Sequence, residues 1–217
     1  MYISKIIFNQ NSVFKNVIKS GYELHQVIWN LFGDRHDRKR DFLYRLETEG
    51  TLPLVYAVSE RKPLDRQDIW DIETKEYSPK IKKGMRLGFS ARVNPTVKRN
   101  GKRHDVVMDA KFQMKKDVPN DKKQVQGIIY DSCQKWLEER AGKNGFKIVQ
   151  FRADGYRQIE FNKRKNSKLI RFSVIDITGI LEVTSQMAFE KVLFNGMGAE
   201  KGFGCGLMLI KRIDKCH

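Results

Sequence analysis

Two short stretches, one near each end of the chain, hold the residue types that could do chemistry. The first is Tyr22-Glu23-Leu24-His25, in which a phenol and an imidazole stand three residues apart. On a helix those positions are neighbours, so the two rings would sit side by side, flanking an apolar stripe of Leu24, Val27 and Ile28. The second is Asn195 to Leu207, where Gly196, Gly198, Gly202, Gly204 and Gly206 fall within eleven residues around Lys201. Glycine permits positive φ and close backbone approach. Such a run either forms a mobile surface loop or turns main-chain N–H groups toward an anion, with Lys201 adding a charge. Histidine is the side chain best matched to proton transfer near neutral pH. Set beside positive charge, it suffices for the cleavage of RNA by its own 2′-OH. A base removes the hydroxyl proton, the oxygen attacks the adjacent phosphorus, and a cation stabilises the charge gathering on the phosphoryl oxygens. A lone helical histidine also has an ordinary structural role open to it, and both readings stand at this point.

Charge favours the chemical one. The chain has 217 residues, with 42 Lys and Arg against 26 Asp and Glu, a net charge of +16 and a pI near 9.8. A surplus of that size is an electrostatic footprint for a polyanion, most often nucleic acid, or for docking on an acidic partner. Cys133, Cys205 and Cys216 form no CxxC pair, and His25, His36, His104 and His217 are scattered. Neither a disulfide framework nor a zinc site is indicated. No 18-residue apolar run exists, and the N-terminus lacks the form of a signal peptide. The expectation is a cytoplasmic, reduced protein with no membrane association and no cofactor or metal.

The elements that would position these residues read as α+β. Tyr2 to Phe8 is a strand by its β-branched, apolar composition. Ser20-Gly21-Tyr22-Glu23 fits a capping box, and Leu24, Val27, Ile28 and Leu31 mark one helical face up to Gly33. Residues 41–47, 54–59 and 86–93 read as further strands, the last closed by Asn94-Pro95. These make a first βαββ half over residues 1–95, with no second helix visible. In the second half, residues 96–217, a strand is expected at 105–112 and an amphipathic helix at 125–140. Strands are expected at 147–152, 156–161, 169–177 and 180–183. A helix capped by Thr184 or Ser185 runs to Phe194, and the glycine loop leads to a strand at 207–212. Two tandem ferredoxin-like (RRM-like) domains with antiparallel sheets accommodate this order. The expected hairpin carries Arg152 and Arg157 and a tip of Lys163, Arg164, Lys165 and Lys168. A charged tip is either simply solvated or enters a groove of a structured nucleic acid, where lysines and arginines meet phosphates. Arg92 and the cluster Lys98, Arg99, Lys102 and Arg103 could extend that track.

Several stretches carry a resemblance. Met1-Tyr2-Ile3-Ser4-Lys5, Tyr22-Glu23-Leu24-His25-Gln26-Val27-Ile28-Trp29-Asn30-Leu31-Phe32, Arg40-Asp41-Phe42-Leu43-Tyr44-Arg45, Arg92-Val93-Asn94-Pro95 and the 196–207 loop appear in that order from end to end. Together they resemble the CasE-type CRISPR repeat-processing endoribonucleases of the type I-E Cascade complex, within the RAMP superfamily. The resemblance implies cleavage of the CRISPR repeat transcript on the 3′ side of its stem-loop, without metal, leaving 2′,3′-cyclic phosphate and 5′-OH ends. It implies His25 as catalytic histidine, Tyr22 as its tyrosine, the glycine loop beside them, and the basic hairpin on the RNA stem. It also implies partners: the repeat stem-loop, retained after cutting, and the other Cascade subunits, with a monomer expected in isolation. The alternative is a non-catalytic RNA-binding module built from RRM-like halves. Such modules bind single strands through sheet aromatics in RNP motifs, and no such motif is present.

Overall fold

The computed structural model describes residues 1–8, 21–33, 39–49, 52–65, 68–114, 121–162 and 169–213. Its elements are β1 (Tyr2–Phe8), α1 (Gly21–Asn30), β2 (Phe42–Glu49), β3 (Leu52–Ser59), β4 (Trp70–Glu76), β5 (Arg86–Val93), β6 (Thr96–Arg99) and β7 (Lys102–Asp105). They continue with α2 (Val106–Met114), α3 (Lys122–Lys143), β8 (Phe146–Asn162), β9 (Leu169–Val183), α4 (Gln186–Asn195) and β10 (Met208–Arg212). A single 3-10 turn, Lys201–Phe203, interrupts the glycine loop. The strands form two four-stranded antiparallel sheets, ordered β2-β3-β1-β4 and β10-β5-β9-β8, plus the β6–β7 hairpin. Each four-stranded sheet has the ferredoxin-like order, as expected for two tandem α+β units.

In the first unit, alternation along β1 turns Ser4, Ile6 and Phe8 inward. There α1 lays Ile28, with Leu24 and Val27, against Phe42, Tyr44, Val55 and Trp70. This packing fixes the azimuth of α1 and hence the direction of His25. In the second unit, α3 brings Ile129, Cys133, Trp136 and Leu137, and α4 brings Phe189 and Leu193, onto Phe89, Ala91 and Val93 of β5 and Ile175 and Ile177 of β9.

Three sequence expectations are corrected. Residues 86–93 do not complete the first unit: β5 pairs with β9 and β10, at the centre of the second sheet. The fourth strand of the first sheet is instead β4, which runs against β1 from Tyr2↔Glu76 to Phe8↔Trp70. Its Trp-Asp-Ile-Glu-Thr-Lys-Glu sequence is an edge strand exposed on one face, so its charges hid it. Sheet membership thus changes between Glu76 and Arg86. Residues 105–112 are not a strand either. The Asp105 carboxylate accepts from the amides of Val107 and Met108 at 2.9 and 2.8 Å and starts α2 there. Finally, β8 and β9 are each continuous where breaks were expected. Gly155-Tyr156 forms a bulge, and Gly179 lies where the Gln150 carbonyl comes so near that a Cβ would stand 2.1 Å from it.

The two sheets meet through a small apolar cluster of Leu43, Val58 and Leu207, flanked by polar ties. Arg45 Nη1 donates to Ser90 Oγ at 2.7 Å, and Arg92 Nη1 donates to the Leu46 carbonyl at 2.6 Å. β2 is therefore held along β5. Among the described residues no helix is long and apolar enough to cross a membrane.

Candidate functional site

The glycine loop is a fastened structure. Its ends are closed by the Met197 N–H to the Gly206 carbonyl at 2.9 Å, and its flank is tied by the Gly206 N–H to the Arg92 carbonyl at 2.7 Å. A bridge between Asn94 and Ala199 adds a third tie. The surface-loop alternative does not hold. The amides of Gly196, Met197, Phe203 and Gly206 are spent on internal carbonyls, so those four are not turned toward an anion. The glycines serve packing instead. Gly204 has φ of +81°, which a side chain would strain, and a Cβ there would stand 3.1 Å from the ring of Tyr44.

That contact brings the two motifs together. His25, half-buried on α1, meets the loop across Tyr44 of β2. Its Nδ1 is 3.3 Å from Tyr44 Oη, and that hydroxyl donates to the Gly202 carbonyl at 3.2 Å. A carbonyl can only accept, so the single phenolic proton points at Gly202. The Tyr44 oxygen must then accept from Nδ1–H, which places the lone pair of the neutral imidazole on Nε2. Burial pushes the Tyr44 hydroxyl well above the ordinary phenol range, with Cys205 adding to the rise and Arg40 opposing it. The hydroxyl therefore stays a donor. Aromatic rings hold the imidazole plane: Trp29 at 5.5 Å edge-on and Phe203 at 4.9 Å. Phe203 in turn meets Phe172 of β9 at 5.6 Å, which sets the histidine near the far end of the long β8–β9 hairpin. An open pocket lined by His25, Gln26, Trp29 and Asn30 gives the site an approach from solvent.

Two cations flank this chain of contacts. Lys201 Nζ donates to the Asn195 carbonyl at 2.6 Å. Burial, then the charge of Arg40, hold its pKa below the usual lysine value. Arg40, in the approach to β2, extends its guanidinium over Gly202, 3.3 Å from where a Cβ would be. Burial lowers its pKa as well, against a smaller opposing influence from Tyr44.

The other sequence candidates are distributed differently. Tyr22 is in the first turn of α1, but its side chain, together with Lys163, Arg164, Lys165 and Lys168, lies outside the described residues, as does the proposed cap Ser20. Arg92 faces the junction of the sheets. It grips Asp176 with Nε at 2.7 Å and Nη2 at 3.0 Å, and approaches Glu47 at 3.7 Å. Its geometry makes it a tie between units. Arg152 and Arg157 are exposed on β8, the first paired with Asp154 at 2.6 Å and the second bonded to the Gly155 carbonyl at 2.9 Å. Sequence reasoning missed Tyr44 and Arg40 as site residues. Both lie in the Arg40–Arg45 stretch, whose only signal is its part in the family resemblance, and nothing in its spacing says that it faces a loop some 160 residues away. Among the described residues no group of three or more His, Cys, Asp or Glu is placed to hold a metal ion.

Comparison with known proteins agrees over the full length. The family model described as CRISPR associated protein matches residues 1–212. The chain is 28% identical over 214 residues to the CRISPR system Cascade subunit CasE of Escherichia coli, covering 96% of this chain and 98% of that protein. It is 24% identical over 230 residues to the CRISPR-associated endoribonuclease Cse3 of Thermus thermophilus, covering 97% and 99%. Among solved structures, a CRISPR endoribonuclease Cse3 bound to a 19-nucleotide RNA superposes with a TM-score of 0.72 at 22% identity, covering 97% of this chain and all of that one. At that identity the likeness establishes the fold.

Proposed function

The chain belongs to the CRISPR associated protein family, and from that premise we propose that it is a metal-independent endoribonuclease that cuts CRISPR precursor RNA 3′ of the repeat stem-loop. The observation that carries the reading is the His25–Tyr44–Gly202 chain. It presents an imidazole of defined tautomer in an open pocket, flanked by two cations. His25 Nε2 takes the 2′-OH proton and O2′ attacks the adjacent phosphorus. The P–O5′ bond breaks, the departing O5′ takes a proton from solvent water, and 2′,3′-cyclic phosphate and 5′-OH ends result. Base and cation come from side chains and the nucleophile from the substrate. Tyr22, one helical turn before His25, orients the 2′-OH or supports the base.

The stem is gripped by the basic β8–β9 hairpin, whose first strand carries Arg152 and Arg157 and whose two strands are joined by the sequence that holds Lys163, Arg164, Lys165 and Lys168. The +16 charge makes such binding strong and salt-dependent. Names among the relatives support the assignment: one is an endoribonuclease, another a Cascade subunit. On this reading the product stays on the protein, which acts as a subunit of a Cascade assembly in the cytoplasm.

The test incubates the protein in EDTA with a labelled repeat hairpin, beside a copy with 2′-deoxy sugar before the cut. Cleavage of the first alone, with a cyclic phosphate end, is expected, and His25→Ala should abolish it while binding persists. Binding without cleavage of either RNA, across a panel of repeat hairpins, would instead leave an RNA-binding module.

A further inference from the structure

Arg40 has no role in the reaction as written, yet the structure makes room for it. Gly202 takes an ordinary φ, so its backbone does not call for glycine. Among the described residues, what a Cβ there would meet within 4 Å is Arg40 Nη1. The missing side chain thus leaves room for Arg40 at the same residue whose carbonyl accepts from Tyr44.

Its electrostatic surroundings are unlike those of Arg45, Arg61 and Arg92. Arg45 is paired with Glu47, Arg61 with Asp41, and Arg92 with Asp176. Among the described residues no carboxylate faces Arg40, and the second charge that senses it is a lysine, Lys201. Two like charges drawn together and partly removed from water repel each other and lose hydration. Such an arrangement is relieved by an anion placed between them. Lys201 spends one of its three protons on the Asn195 carbonyl, which aims the ammonium and leaves it donors to give.

We infer that Arg40 and Lys201 form a two-cation cradle for the phosphodiester at the cut, which makes Arg40 a catalytic residue acting on the non-bridging oxygens. The inference rests on the endoribonuclease reading and deepens it. As O2′ attacks, charge builds on those oxygens, and a planar guanidinium offers them paired N–H donors that a lysine cannot match.

The experiment has two arms. In single-turnover cleavage, Arg40→Gln should lower the rate about 100-fold, as loss of one oxyanion donor does, with Arg40→Lys recovering part of it. Gly202→Ala, which displaces the guanidinium without removing a charge, should move the rate the same way by less. In the binding arm, a non-cleavable 2′-deoxy hairpin is compared with its copy carrying a neutral methylphosphonate at the cut. Neutralising that linkage should weaken binding to wild-type protein and weaken binding to Arg40→Gln, which keeps only Lys201, by clearly less. Equal weakening in both proteins, or a wild-type rate in Arg40→Gln, would overturn the cradle. Should Arg40→Gln fail to fold, Lys201→Gln taken through the same cycle decides. Failure of the endoribonuclease reading itself would show as cleavage of the 2′-deoxy hairpin, or as undiminished cleavage by His25→Ala, outcomes separate from the binding cycle.

Discussion

Removing one oxygen from Tyr44 tests the arrangement of the site most directly. In Tyr44→Phe the ring persists, so its packing on Gly204 and within the first core survives. Two hydrogen bonds vanish: the one to His25 Nδ1 at 3.3 Å and the one to the Gly202 carbonyl at 3.2 Å. Both are long, so each contributes about 1 kcal/mol or less net. Only the first acts on the base, and about 1 kcal/mol at the barrier corresponds to a rate loss of roughly fivefold, rising toward tenfold if both act together. Stability should fall by about 1 kcal/mol, a few degrees in Tm for a chain of this size. The assay is single-turnover cleavage of the repeat hairpin beside equilibrium binding of its 2′-deoxy copy. Nitrogen-15 shifts of the His25 ring add a readout that packing alone would not move. Wild-type protein should show Nδ1 protonated, and Tyr44→Phe should show a mixture of tautomers. Because burial keeps the phenol from ionising, the wild-type tautomer should persist through alkaline pH where an exposed tyrosine would titrate. A wild-type rate in Tyr44→Phe, or an unchanged tautomer, would refute the argument.

Two further outcomes follow from the junction and the core. Asp176 is pushed up by burial but pulled down further by Arg92, Arg45 and Arg157, so its carboxyl sits below the usual range. Its stabilisation is present above the unfolded-state value near 3.9 and is lost as pH falls through the lower folded value. Asp176→Asn should cost about 2 kcal/mol at neutral pH, roughly 4–8 °C in Tm, with the gap to wild type closing in acid melts. A pH-independent gap would mean that the ion pair with Arg92 is not its source. Burial pushes the thiols of Cys133 and Cys205 up to about 12. At pH 8 only about one in 10⁴ would be thiolate. A Cys216→Ser protein should therefore react with an aromatic disulfide reagent only at its unfolding rate, and prompt labelling would contradict the burial of both.

The sequence was most legible where a local pattern and its tertiary setting agree. Alternation in β1, the stripe on α1 and the hydrophobic run of β5 each dictate one buried face, and those elements were read at nearly their observed limits. What stayed hidden was decided by partners far away in the chain. Trp70–Glu76 is recognisable as a strand only because β1 offers it an edge. Val106-Val107 favour a strand by propensity, but the preceding Asp105 captures two amides and commits the segment to a helix. The site divides in the same way. His25 and Lys201 announce themselves by type and by neighbours in sequence, whereas Tyr44 sits in an apolar strand and looks like core until the glycine loop is laid against it.

That division has a consequence for how activity is built. On the proposed reading, the base comes from α1 and its orienting phenol from β2, both in the first unit, while the Gly202 carbonyl, Phe203 and Lys201 come from the second. Neither unit holds the arrangement by itself. What aligns them is the strip where β2 runs along β5: the Leu43, Val58 and Leu207 cluster, with Arg45 on Ser90 and Arg92 spanning Asp176 and the Leu46 carbonyl. Arg92 also presents its own carbonyl to Gly206, so one residue ties both the sheet junction and the loop. From the other side, Phe203 rests on Phe172 of the β8–β9 hairpin. A stem held by that hairpin would load the same aromatic contact that fixes the plane of His25. On that reading, grip on the RNA and readiness of the base would share one short run of side chains, which would suit a protein proposed to cut one RNA and keep it.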